Sequence, residues 1–381
     1  MARTTVRASA STCAAATLLT TSITPPRRVA VELVADVVCP CAPSKIYTPL
    51  ACLRCAALTS ACASSGCYIG LRRFQKAASE AAAHDNISID LTFTPFILRR
   101  HLPKEGVSKL EMFSAAMGGE ANARAKFAQI KGAAEDDGLC LDFDGQRAGN
   151  SEDAHRLLLW ASATHGQRWL PLLEALFRKY NCDRQWIGDV KVLTDAAEAA
   201  GLPSSDAAEL LHNTSAFSDT LEAGLARSAE LGTSGVPLFV VDGRATLPGA
   251  VPATELLAAI RAASRSPLRL AQWYVERANA HDIAGLAEML AVDVDMFGGP
   301  CDRSGLDDFF AMYPQVHWQV TSAYAVREDD PNTVVFEYTR TWMGPDGARL
   351  AVDAAEAITF DGAGHVSRIA YTLEPSATRS A

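Results

Sequence analysis

Nowhere in its 381 residues does the chain carry an apolar run approaching the roughly 18 residues that a membrane-crossing helix needs, so no membrane span is expected. Clusters of Lys and Arg are missing too, and the formal net charge is −9, so nucleic acid is not an expected partner. Acidic residues are absent from the start of the chain, the first being Glu32. Residues 1–28 instead hold four arginines and sixteen Ala, Ser or Thr, the composition of a mitochondrial or plastid transit peptide or of a plain disordered tail. The apolar run 13–19 is short and broken by Thr17, which disfavours a secretory signal. The compartment, cytoplasmic or organellar, stays open. A regular cysteine framework is also lacking. Of ten cysteines, Cys39, Cys41, Cys52, Cys55, Cys62 and Cys67 lie in or beside one stretch, Cys13 lies in the leader, and Cys140, Cys182 and Cys301 are scattered. That distribution argues for a reducing compartment in which only a reactive pair cycles.

What is present reads as soluble globular protein, 49% hydrophobic and 21% charged, long enough for two domains. Residues 29–38 alternate and then run apolar, as a buried strand of an α/β sheet does, and residues from Cys67 onward place Ile69, Leu71, Phe74 and Ala78 at helical spacing. Cysteines therefore stand on either side of a strand-to-helix junction. A helix N-terminus carries unpaired N–H groups and partial positive charge, which stabilise a thiolate and make it a nucleophile. From residue 108 to about 231 the pattern is helical, with stops at Gly201 and Gly232, and His155 within it reads as a packed residue. After Gly235-Val236-Pro237, the run 238–241 and the Asp242-Gly243 turn predict a hairpin. A helix over 253–263 follows, with Pro252 at its first turn. Residues 264–267 read as a linker. Beyond them, helices precede four β-rich runs, which predicts an α+β domain with an antiparallel meander. Strand position makes Asp295, His317, Tyr338, Asp353 and Glu356 candidates for a pocket there.

With residues 41–66 replaced by a single residue, the junction would read Cys-Pro-Xaa-Cys-Tyr followed by Ile-Gly. In this form the chain resembles the DsbA-like thioredoxin family, and within it the FrnE-like branch. The likeness extends through residues 88–98, 151–161, 187–202 and the Gly-Val-Pro segment at 232–244. It implies an α/β thioredoxin fold over 29–265, with a helical domain inserted at about 105–231. It also implies a thiol-disulfide oxidoreductase: Cys39 as nucleophile, Cys67 as resolving thiol, a cis Pro237 facing them, and Val236 hydrogen-bonding the substrate. The expected partner is a thiol or disulfide, protein or small molecule. No resident cofactor and no metal are implied, with glutathione as the one candidate co-substrate. Residues 268–376 resemble the SnoaL-like group of the cone-shaped fold, a smaller α+β domain expected to serve an accessory role such as homodimerisation.

The departure from the family is local. Twenty-six residues stand where the family has one, usually Trp. The net excess of 25 residues corresponds to 75 nucleotides, a whole number of codons. Should Cys41 be encoded TGT and Ser65-Gly66 TCA-GGG, deletion between GT and AG ends rejoins T to GG and restores the tryptophan codon, as a retained intron would. The competing reading is a genuine insertion whose cysteines hold zinc, although the stretch contains no His, Asp or Glu. Two alternative functions stand beside the redox one. A glutathione-dependent isomerase or transferase on aromatic or polyketide-like substrates is disfavoured by Cys39, because such relatives typically carry Ser there. The other alternative is a catalytically inactive binding protein.

Overall fold

Val29, Val31 and Leu33 point to one buried face of β1 (Arg27–Ala35) in the computed structural model, which describes residues 27–38, 66–373 and 375–380. Cys39, Pro40, the interrupting stretch to residue 65 and the leader to residue 26 lie outside the described residues. Arg27 and Arg28, assigned above to the leader by composition, are the first residues of β1. The next elements are α1 (Gly66–Asp85) and β2 (Ile87–Pro95), the latter parallel to β1 over its full length. A parallel pair requires a crossover, and α1 lies on that connection, burying Ile69, Leu71, Phe74, Ala77 and Ala81.

The helical module follows. It contains β3 (Val107–Ser108), α2 (Lys109–Met117), α3 (Glu120–Glu135), β4 (Arg147–Ala148) and α4 (Glu152–His165). It continues with α5 (Trp169–Asn181), α6 (Val190–Ala199), α7 (Ser204–His212) and α8 (Ser218–Glu230). β3 and β4 pair as a two-stranded ribbon that the helical pattern did not reveal, since each is only two residues long. The helical stretch read between Gly201 and Gly232 is two helices, because Asn213 ends α7 in extended conformation and Phe217 turns the chain at φ +60°.

The chain then returns to the sheet through β5 (Leu238–Val241), β6 (Ala245–Pro248) and α9 (Ala253–Ser264). Pro252 stands at the N-cap of α9 rather than in its first turn; its ψ of 147° is extended. The sheet order is β2-β1-β5-β6, with β5 antiparallel to β1. Both faces are covered, which accounts for the nearly continuous apolar reading of β1 and β5. Val31, Leu33, Phe239 and Val241 belong to the main core with α1 and α9, while Val34, Leu238 and Val240 pack with Phe96 and Leu231.

The C-terminal elements are α10 (Pro267–Asn279), α11 (Ile283–Met289), β7 (Leu290–Met296), β8 (Gly299–Pro300) and α12 (Arg303–Met312). Then come β9 (His317–Val320), β10 (Ala325–Val326), β11 (Thr333–Met343), β12 (Arg349–Phe360), β13 (Val366–Leu373) and β14 (Arg379–Ser380). They form one sheet in the order β10-β11-β12-β13-β7-β8, with β9 on β11 and β14 on β12. The expected meander is present, but β7 joins β13 in parallel. α12 and the intervening strands supply the long connection a parallel pair needs. The chain divides into two units, residues 27–273 with 324–334 and residues 274–323 with 335–380, so the division falls within α10 rather than at the short linker before it. Among the described residues no helix is long and apolar enough to cross a membrane.

Candidate active site

The first turn of α1 holds Gly66, Cys67, Tyr68, Ile69 and Gly70, all buried. No acidic residue lies in that turn, so nothing on the helix offsets the positive end of its dipole beside the Cys67 thiol. Cys67 is fully buried, at 0% exposure. Tyr68, the next residue, stacks on Phe177 of α5 with ring centroids 5.3 Å apart, which ties the start of α1 to the helical module.

Above this turn sits the segment that leads into β5. The Val236-Pro237 peptide bond is cis. The Pro237 ring lies against the two glycines one turn apart: a Cβ added at Gly66 would stand 3.3 Å from its Cδ, and one at Gly70 2.8 Å from its Cγ. Glycine is needed at residue 70 for space alone, since its helical φ suits any residue. Gly70→Ala is therefore expected to cost about 1 to 3 kcal/mol by overpacking against Pro237 and Phe239. Chemical denaturation measures this directly, and an unchanged midpoint would mean the ring moves aside freely. Of the four residues singled out in the sequence, Cys67 lies in the helix turn whose Gly66 and Gly70 face Pro237 and the Val236 carbonyl, while Cys39 lies outside the described residues.

A second group, not singled out in the sequence, lies beside it. Asp36, 1% exposed, directly follows β1 and lies three residues before Cys39. Its carboxylate accepts from Val38 N–H (3.0 Å), Leu98 N–H (2.8 Å) and Ser151 Oγ (2.8 Å), and His155 Nε2 lies 3.2 Å from Oδ1. His155 is fully buried and stacks on Phe93, as a packed histidine does. Asp36 consequently fixes the turn that leads to Cys39, the exit of β2 and the start of α4. A signal was available: an acid inside the apolar run VADVV cannot be buried unpaired, and Ser151 and His155 lie one helical turn apart.

The remaining described cysteines lack such surroundings. Burial pushes the thiols of Cys182 and Cys301 above their usual pKa, and neighbouring Asp183 and Asp302 add to the effect. Among the described residues no three His, Cys, Asp or Glu side chains gather as a metal site would require.

In the C-terminal sheet the pocket candidates separate. Asp353 is engaged at the surface by Arg379 and Thr339, Asp295 accepts from Gly298 N–H, and His317 is exposed. Tyr338 and Glu356 are buried together, the Tyr338 hydroxyl donating to Glu356 Oε1. Burial raises the Glu356 pKa to about 7, against the opposing pull of the Tyr338 hydrogen bond and the Arg340 charge. Because the folded-state pKa lies above the usual 4.5, the folded state holds the proton more tightly, and that stabilisation is lost as pH rises from about 4.5 through 7. Glu356→Gln is accordingly expected to gain stability over the unsubstituted chain at pH 8, on the order of a few kcal/mol, and little at pH 4. Urea unfolding at the two pH values tests it, and an equal difference at both would remove Glu356 as the titrating group.

A sheet of this order, with α1 and α9 packed on it, a helical module between β2 and β5 and a proline loop over the first turn of α1, is a thioredoxin fold. A family model described as a DSBA-like thioredoxin domain matches residues 62–261, and the chain belongs to that family. The match takes in Cys67, Val236 and Pro237 and begins beyond Cys39. A probable DsbA oxidoreductase from Streptomyces coelicolor is similar at 26% identity and a TM-score of 0.52, over 62% of this chain and 89% of its own. The C-terminal region matches cone-fold structures, among them the Δ5-3-ketosteroid isomerase of a Mycobacterium species. That match has 15% identity and a TM-score of 0.26, over 30% of this chain and 99% of its own. A search of curated proteins gives no match.

Proposed function

We propose that this protein is a thiol-disulfide oxidoreductase in which Cys39 is the attacking thiol and Cys67 the resolving one. The carrying observation is the placement of Cys67, fully buried in the first turn of α1, whose glycines pack against Pro237. A substrate cannot reach a sulfur at 0% exposure directly, but a neighbouring enzyme sulfur can. In the reducing direction the Cys39 thiolate attacks one sulfur of a substrate disulfide. The substrate's S–S bond breaks, and one substrate thiolate leaves as a mixed disulfide forms. The Cys67 thiolate then attacks the Cys39 sulfur and the second substrate thiolate departs. Two electrons have passed from the enzyme dithiol to the substrate; the oxidising direction is the reverse. Val236 and Pro237 would border the substrate where it crosses the sulfurs.

The internal disulfide requires Cα atoms about 4.4 to 6.8 Å apart, which two intervening residues at a helix start satisfy and 26 do not guarantee. The chain with Trp in place of residues 41–66 is therefore the form expected to turn over. A thiol of lowered pKa reacts well at about pH 6, where an ordinary thiol is almost wholly protonated. In that chain Cys39 should be alkylated by iodoacetamide faster than an exposed reference thiol. Equal rates would remove the mechanism. Conjugation of glutathione to an aromatic acceptor, with no disulfide turnover, would point instead to a transferase.

A further inference from the structure

The C-terminal unit holds an arrangement that the redox reading does not use. On β11 the alternate residues Tyr338, Arg340 and Trp342 share one face. Arg340 is only 7% exposed and has a side-chain hydrogen bond with the Tyr371 hydroxyl, yet no described carboxylate forms an ion pair with it, and its Nε is buried with no hydrogen-bond partner. Arginine is almost never buried so far unless paired, because an unpaired buried cation loses its hydration with no compensation. The guanidinium is instead ringed by aromatics. Its Cζ lies 5.1 Å from the Tyr313 ring centroid, 5.7 Å from that of Phe309 and 5.9 Å from that of Trp342. Those three rings are only half-buried, so the charge lies deeper than the apolar groups around it. A protein surface normally shows the opposite order. Concave binding sites have this one, with apolar walls around a few fixed polar groups.

Glu356, whose titration Arg340 influences, is an inadequate counter-charge. It is committed to the Tyr338 hydroxyl, and burial raises its pKa to about 7, which weakens it as a counter-charge at neutrality. Positive charge therefore remains at the base of the collar. A phosphate would call for several donors, whereas one guanidinium edge within aromatic walls suits a flat monoanion.

We propose that this face of the C-terminal sheet binds an aromatic carboxylate, whose carboxylate is received at the Nε edge of Arg340 and whose ring is held by Phe309, Tyr313 and Trp342. The site lies wholly within the C-terminal unit and does not depend on the redox chemistry.

The test uses the full chain and two probes, 1-naphthoate and its neutral counterpart 1-naphthalenemethanol, titrated by calorimetry into the millimolar range. Saturable binding of naphthoate is expected, with the alcohol weaker by about tenfold or more. Arg340→Met should bring naphthoate down to the level of the alcohol, and Arg340→Lys, which keeps charge without the guanidinium edge, should fall between. The two-probe comparison on the unsubstituted chain stands even if a variant folds poorly. Equal binding of the two probes, no saturable binding of naphthoate, or unchanged naphthoate affinity in a folded Arg340→Met would each overturn the proposal.

Discussion

Cys67→Ser, in the chain carrying Trp in place of residues 41–66, is expected to stop disulfide turnover while leaving the first attack intact, so that the enzyme accumulates as a covalent adduct with its substrate. Cys39→Ser is expected to stop turnover with no adduct at all. The asymmetry follows from burial. Cys67 at 0% exposure can meet only a sulfur already delivered to it, whereas the first thiol must be reachable from solvent. A serine hydroxyl is not ionised near neutrality and cannot complete thiol exchange, so each loss should be on the order of a thousandfold or more, down to the background reaction. Glutathione disulfide reduction gives the rates, and intact mass after quenching shows the adduct. An adduct on Cys67, or near-normal turnover without it, would reverse the assignment. Sequencing the mature transcript across the codons for Val31 and Phe74 decides which chain the cell makes: a product shorter by 75 nucleotides reads Cys-Pro-Trp-Cys.

Asp36→Ala should be the most destabilising single change near the site, at about 3 to 5 kcal/mol. It removes the acceptor of two backbone N–H groups and of Ser151, and the partner of His155, all at a buried carboxylate. An unsatisfied buried donor costs about 1 to 3 kcal/mol, and partial relaxation keeps the sum below four such terms. Asp36→Asn should fall between, since one amide oxygen still accepts while the NH2 faces a donor. The measurement is the urea unfolding free energy of each variant. A loss under about 1 kcal/mol for Asp36→Ala would mean that water or a repacked side chain replaces the carboxylate, and that Asp36 does not fix the turn before Cys39.

The division of legibility between sequence and structure has physical causes. Periodicity exposed β1, α1, the hairpin β5-β6 and the C-terminal strands, because each keeps its apolar residues on one face or runs apolar throughout. It could not expose β3 and β4, which are too short to show a period, nor the parallel pairing of β7 with β13, which is a matter of long-range return. Chemistry followed the same line. Cys67 could be singled out by its place at a helix start, and Pro237 only through the family resemblance of the Gly-Val-Pro segment. The Asp36–Ser151–His155 group joins positions more than a hundred residues apart, and Arg340 looked like an ordinary charged residue in a β run.

By itself the sequence determined the two-part organisation and the thiol at a helix start, which rest on local pattern and on what a buried face must contain, and through its family resemblance the thioredoxin-type order of elements. Only the tertiary structure decided that Pro237 seats on Gly66 and Gly70, that an aspartate just past an apolar strand is held by four partners, and that a strand arginine is buried among rings without a carboxylate. Burial and contact are properties of the packed chain: the same residue is ordinary in water and chemically distinct once its surroundings are fixed.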